Sequence, residues 1–268
     1  EDPNLALELE GAFLKTSSGN DINLHGVVSH LVPLALKMSS KWQDAVFSAN
    51  IDADFSAKTM NDAQGNLRIS HFSMTQDSHV PYYLDNLQIT SGYEDDLHFL
   101  TLVSDFAKAE LKGDFEYSTI MKSITNFIGT ALPTLPGLPP YSDLAKNDFS
   151  LKLQVFKTDW LQRFLKTDLI IGQPVMLSAR VNDYSRTIHL ETQMPDLTYN
   201  GNRYTNGDLH ITTPTDTIEC FLSFNKLMEE NHAMAIRLQA KAKDNLLNTK
   251  FNWDNHDVKT PFSGELND

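Results

Sequence analysis

The sequence predicts an all-β, mainly antiparallel fold with two short amphipathic helices. Three observations point there. Apolar residues recur at every second position through most of the 268 residues, two segments switch to helical spacing, and a proline-rich stretch separates those two segments.

The alternation starts at once. Leu5, Leu7 and Leu9 alternate with Ala6, Glu8 and Glu10, and Ile22, Leu24 and Gly26 with Asn23 and His25, so one face of each strand is apolar and the other wet. In the next run Phe47, Ala49, Ile51, Ala53, Phe55 and Ala57 oppose Ser48, Asn50, Asp52, Asp54 and Ser56. A strand of this length extends about 35 Å. Further strands are predicted over 67–74, 84–90, 97–103 and 107–117.

Two segments break the period. Ile120, Met121, Ile124, Phe127, Ile128 and Leu132 follow the i, i+3, i+4, i+7 spacing of a helix, with Ser118 or Thr119 as N-cap and Pro133 as its stop. Trp160, Leu161, Phe164 and Leu165 repeat that spacing after Thr158 and Asp159, ending before Gly172 and Pro174. Between them, "LPTLPGLPPYSDLAKND" holds four prolines, which disfavour both a helix interior and a central strand, and it reads as a loop. Beyond the second helix, alternation resumes over 175–181, 188–192, 209–211, 218–224, 234–242 and 247–253, as it does just before it over 149–155. The predicted organisation is therefore strands and a short helix over 1–132, a proline-rich loop over 133–148, and a strand–helix unit with further strands over 149–268.

Composition narrows the function. A formal net charge of −13 argues against nucleic acid, whose binding draws on Lys and Arg neutralising phosphates. No run of about 18 apolar residues spans a membrane, and the N-terminus lacks the basic and apolar regions of a secretory signal. With alternation under way at Leu5 and no initiator Met, the chain is expected to be a piece of a longer one. The single cysteine, Cys220, excludes an internal disulfide and a thiolate zinc site.

Catalytic signatures are missing as well: there is no His-Glu-x-x-His, Cys-x-x-Cys, Gly-x-Ser-x-Gly or P-loop pattern. His71 and His79 flank a turn-like "SMTQDS" and read as surface or packing residues before metal ligands. The carboxylates of "YEDDL" at Tyr93 and "MEENH" at Met228 fall between strands, where solvated hairpin loops are the default. Asp159 and Asp168 flank the second helix, and Cys220 shares a face with Ile218 and Leu222 as a small apolar side chain. Tyr82, Tyr83, Tyr199 and Tyr204 suit a carbohydrate platform and are equally ordinary strand residues. No enzyme, metal or cofactor is expected.

The apolar face itself has two uses. It is buried in a closed sandwich or barrel, or it lines the trough of one strongly curved sheet braced by the short helices. Periodicity does not separate them.

Val80 to Ile124, "VPYYLDNLQITSGYEDDLHFLTLVSDFAKAELKGDFEYSTIMKSI", carries Tyr83, Asp85, Asn86 and Leu87, then Leu102, Ser104, Asp105, Phe106, Ala107, Ala109, Leu111, Gly113 and Phe115, then a short helix. This order resembles a recurrent segment in the C-terminal part of the TamB family, the AsmA-like translocation and assembly proteins of Gram-negative bacteria. The phrases "FSLKLQVFKTDWLQRFL", "VMLSARVND" and "DLTYNGNRYTNGDLHI" are similar in style and order, so the resemblance extends over 44–254, with its specific part confined to 80–124.

The resemblance implies a long, taco-like, curved β-sheet with a hydrophobic groove. The chain is then one section of a periplasmic conduit, its parent anchored in the inner membrane, that moves phospholipid or another acyl-chain lipid to the outer membrane. An outer-membrane β-barrel assembly protein is an implied partner, and an excised section is expected to dimerise over its open trough. Combined with the alternation, it nominates as groove-lining Phe47, Ile51, Phe55, Leu87, Ile89, Leu102, Leu111, Phe115, Leu151, Leu153, Leu177, Val181, Leu190, Leu222, Phe224, Ile236, Leu238 and Phe251. The alternative is a structural or interaction module with a closed core that docks an envelope protein through an edge strand.

Overall fold

The computed structural model describes residues 2–15, 19–42, 44–76, 80–228, 232–257 and 260–268. His79, and Glu229, Glu230 and Asn231 of the second carboxylate cluster, lie outside the described residues. The chain is all-β and mainly antiparallel: the described residues form sixteen strands in one open sheet whose order starts at the first strand and ends at the last, with two short α-helices. It divides into two compact units, 1–109 and 110–268, a division earlier in the chain than the proline-rich loop.

In the first unit β1 (Leu5–Lys15), β2 (Asn20–Leu31), β3 (Ala45–Ala57), β4 (Gln64–Gln76), β5 (Tyr82–Glu94) and β6 (Leu97–Ser104) pair in chain order, and β7 (Ala107–Asp114) contains the division. Direct opposition in an antiparallel pair puts two residues on one face, so register decides which side chains share it. Leu24, Ala53, Leu67, Ile89 and Leu102 form one cross-strand row, and Gly26, Ile51, Ile69, Leu87 and Ser104 the next. Matched irregularities keep the apolar side chains on one side. Around His71, whose φ is 51°, the pairing passes from Ile69–Leu87 to Phe72–Leu84, and the same face resumes. Asp95 and Asp96 both have positive φ and make the tight two-residue turn between β5 and β6.

The second unit continues through α1 (Ile120–Ala131), β8 (Asp148–Val155), α2 (Asp159–Leu165), β9 (Leu169–Ile171), β10 (Val175–Asn182), β11 (Thr187–Tyr199), β12 (Asn202–Thr212), β13 (Ile218–Leu227), β14 (Ala233–Lys243), β15 (Leu246–Asp254) and β16 (Ser263–Asn267). β8 pairs with β10, the following strands pair in order, and β9 lies beside the end of β11. The sequence expectation extends the strand before α1 to Tyr117, but it stops at Asp114, because Glu116 leaves the ladder and gives its amide to the Asn147 side chain. β9 and β16 carry no alternating pattern long enough to be predicted.

One glycine in each unit permits close strand approach. A Cβ on Gly65 would fall on the Asp54 carbonyl, and one on Gly113 on that of Asp148; both glycines also have positive φ.

The buried apolar core is small and sits mostly near strand ends. In the first unit Ala45, Met74, Tyr82 and Leu84 gather at one end of β3, β4 and β5. In the second, Val181 near the end of β10 pairs with Phe149 at the start of β8 and Ile188 at the start of β11, Ala242 is buried near the end of β14, and Leu111, Phe115, Ala131 and Ala145 are buried as well. Total accessible surface is 16837 Å². Two separate compact bodies of these lengths would expose about 14,000 Å², so the excess arises within the units, from surface that a closed core would hide.

Candidate functional site

The widest apolar surface in the second unit is a row across seven strands: Leu153, Leu177, Thr192, Leu209, Leu222, Leu238 and Phe251. Beside it runs a second row, Leu151, Ala179, Leu190, Ile211, Cys220, Ala240 and Thr249. At strand spacing each row spans about 29 Å. Thr192 is buried; every other member is half-buried. The first-unit rows behave alike, with Leu24, Ile51, Leu67, Ile69, Leu87, Ile89 and Leu102 all half-buried.

That intermediate state decides between the two architectures open to the sequence. In a sandwich or barrel the facing layer fills the gap at crystal-like density and such side chains are buried. Here they touch cross-strand neighbours and keep part of their surface open. A contiguous apolar area of this kind marks an interaction or ligand surface.

Fifteen of the eighteen side chains nominated by sequence are half-buried on these faces, from Phe47 to Phe251. Three are not. Leu111, Phe115 and Val181 are 8, 5 and 1 % exposed and belong to the protein core. Phe115 meets Tyr117 and Phe149 edge-on, at 5.3 and 6.3 Å between ring centroids. Phe47 holds a middle position: its ring lies 6.1 Å from Trp42 and 6.0 Å from Phe72, which in turn meets Tyr82 at 6.2 Å, so an aromatic series closes one end of the first-unit face.

In the second unit α1 closes one end of the apolar face, held by a buried polar network. Asn147, 1 % exposed, donates from Nδ2 to Ser123 Oγ at 2.7 Å and to Thr119 Oγ1 at 3.1 Å, and its Oδ1 accepts from the Glu116 amide at 2.8 Å. Asp183 Oδ2 accepts from Ser123 Oγ and from the Asn147 amide, both at 2.7 Å. The α1 C-terminus is tied by the Asn245 amide to the Ala131 carbonyl at 2.9 Å. Asn147, Ser123 and Asp183 carry no sequence signal, since their roles depend on partners 24 to 60 residues apart. Thr119 is the N-cap residue of α1, but its side chain serves the network rather than the helix amides.

The opposite face is charged. His25 lies 2.5 Å from Asp52, whose hydrogen bond raises the imidazole pKa. Arg203 forks onto Asp196 with two bonds of 2.9 Å and holds that carboxyl below its usual range. His189 meets Glu191 at 2.9 Å, His210 meets Asp208 at 2.8 Å, and Lys241 meets Glu219 at 2.9 Å. Exposed pairs of this kind stabilise little; they keep one side of the sheet wet.

Residues behind the family resemblance have local structural roles. The Asp105 carboxylate accepts the Asp85 amide at 2.6 Å and the Asn86 amide at 3.3 Å, fixing the irregular stretch of β5. Ser104 Oγ accepts the amides of Phe106 and Ala107 at 3.3 and 3.0 Å, shaping the turn into β7.

The remaining candidates fall apart in space or chemistry. His71 is exposed, and burial pushes the Cys220 thiol up, away from nucleophile range. Asp159 opens α2, and Asp168 accepts from Gln162 at 3.4 Å. Tyr82 is buried while Tyr83, on the other face, is exposed; Tyr199 is exposed, and Tyr204 packs on Phe224 at 5.4 Å. Among the described residues no three His, Cys, Asp or Glu side chains converge as metal ligands, and no helix is long and apolar enough to cross a membrane. The chain matches no protein-family model, no curated protein and no solved structure.

Proposed function

We propose that the apolar face binds the acyl chains of lipids, and that the chain is a non-enzymatic section of a conduit carrying phospholipid across the periplasm to the outer membrane. The observation that carries this reading is the continuous, half-buried aliphatic surface, about 29 Å across in the second unit. Half a bilayer core is about 15 Å thick, so the surface is wide enough to shelter an extended chain. The charged opposite face supplies the water-facing side that such a conduit needs. The resemblance of 80–124 to TamB-like proteins supports the transport role, the periplasmic setting and the inner-membrane anchoring of a longer parent.

Native mass spectrometry of the purified chain, with organic extraction of co-purifying material, tests it. Phospholipid bound in defined stoichiometry is expected. Leu222→Asp with Leu238→Asp, on the half-buried face, should abolish capture, whereas Arg237→Ala on the wet face should not. A bare protein mass after incubation with liposomes would overturn the proposal.

A second reading has its own observation. β1 is an edge strand, and its Leu7, Leu9 and Phe13 are 45, 58 and 63 % exposed. Such an edge suits docking of another strand, from an envelope protein such as an outer-membrane β-barrel assembly factor or from a second copy.

A further inference from the structure

Where α1 closes the second-unit face, it leaves a small cavity of about 60 Å³ that opens to solvent. Phe127 from α1 and Ile218 from β13 form apolar wall. Ile218 pairs with Ala242 and stands two residues before Cys220 on the same side of β13, so the cavity continues the apolar face rather than the charged one. Its polar lining is of mixed sign: Arg186, Asp183 and Asp216, with the Thr217 side chain beside them.

Arg186 is the notable member. It ends the short connection between β10 and β11 at φ 53°, a left-handed conformation that Asn or Gly adopts more cheaply, and among the described residues its guanidinium makes no ion pair. A guanidinium left open to a pocket suits phosphate, which it binds through paired N–H donors. The two carboxylates make the cavity net negative, so a ligand with anionic charge alone is disfavoured, and one that adds an amine beside its phosphate is complemented at both ends.

We infer that this cavity is a headgroup site for a phosphate–amine zwitterion, of the phosphoethanolamine class, whose acyl chains lie on the adjoining apolar face. Arg186 takes the phosphate, and Asp216 with the remaining oxygen of Asp183 takes the ammonium. The inference rests on the acyl-chain reading and adds a preference among lipids.

The test compares phosphatidylethanolamine and phosphatidylglycerol of identical acyl chains, offered to the full chain and read by native mass spectrometry, with soluble phosphoethanolamine as a third ligand. Phosphatidylethanolamine is expected to bind about tenfold better than phosphatidylglycerol, and Arg186→Ala to remove about that factor. Asp216→Asn should narrow the preference. Arg186 and Asp216 are both exposed, and an unchanged melting temperature confirms that the variants are folded. Equal binding of the two lipids, insensitive to Arg186→Ala, would overturn the headgroup site and leave acyl-chain binding standing. Arg186-dependent binding of phosphoethanolamine without either lipid would overturn the lipid source of the ligand, and binding of none of the three would overturn both readings.

Discussion

The two units spread the same alternation over a sheet face and then finish that face differently. In residues 1–109 one end is closed by aromatic rings, Trp42 on Phe47 on Phe72 on Tyr82. In residues 110–268 a helix does it, tied down by Asn147, Ser123, Thr119 and Asp183. Aromatic rings prefer edge-on or offset packing but tolerate a spread of centroid distances, whereas a buried hydrogen-bond network fixes one arrangement and is costly to leave half satisfied. The second unit therefore has the more strictly defined end, and that is where the mixed-charge cavity lies.

The largest effect should come from breaking that definition. Asn147→Ala leaves the Glu116 amide and the Ser123 and Thr119 hydroxyls without their shared partner and is expected to cost about 3 kcal/mol. Hydrogen exchange should show lost protection in α1 and in 142–147 with the first-unit strands unchanged; equal loss in both units would mean that the two ends are not independently held.

A smaller effect is expected on the open face. Leu67 is half-buried, so Leu67→Ala should cost about 1 kcal/mol, less than the 2–5 kcal/mol of a core truncation. Urea denaturation with and without phospholipid sharpens this, because the cost should grow when lipid covers the face. A full core-sized cost in lipid-free protein would show the face to be closed.

The smallest effect is a pH dependence peculiar to the first unit. His98 is 4 % exposed, lies 3.0 Å from Ser91 Oγ and stacks on Tyr93 at 4.9 Å, and burial lowers its pKa from 6.5. Below pH 6.5 the unfolded chain takes up a proton that the folded one resists, so stability is fully present above 6.5 and is lost as the pH falls below it. His25 runs the other way, its pKa being raised by Asp52: its contribution is present below 6.5 and lost as the pH rises through the raised value, but it is exposed and its part is screened. Thermal melts from pH 7.5 to 5 should show first-unit stability falling, and His98→Gln should flatten the slope.

The strands were legible because period-2 alternation is a local property: Phe47 to Ala57 announces β3 without reference to any other residue. Ile120 to Leu132 likewise announces α1. What stayed hidden depends on distant partners. Leu111 and Leu151 look identical in sequence, yet one is core and the other half open, because covering is supplied by segments far along the chain. β9 has three residues and β16 reads Ser-Gly-Glu-Leu-Asn, too short and too polar to show a period; each forms because a neighbouring ladder offers it an edge. Of the cavity, only Phe127 and Ile218 were visible beforehand, as apolar positions on a helix and a strand.

Pairing in chain order has a consequence for length. Strands β10 to β16 each bond to their chain neighbours, with β9 as a side branch. Excising one hairpin, such as β13 with β14, brings β12 and β15 together still antiparallel, with every remaining side chain on its original face. Excising a single strand instead reverses the direction of all that follow. The surface can thus be shortened or extended only in steps of two strands, about 9.5 Å each, so a chain of this design has a modular ruler, and hairpin deletions offer variants of graded width with unchanged chemistry.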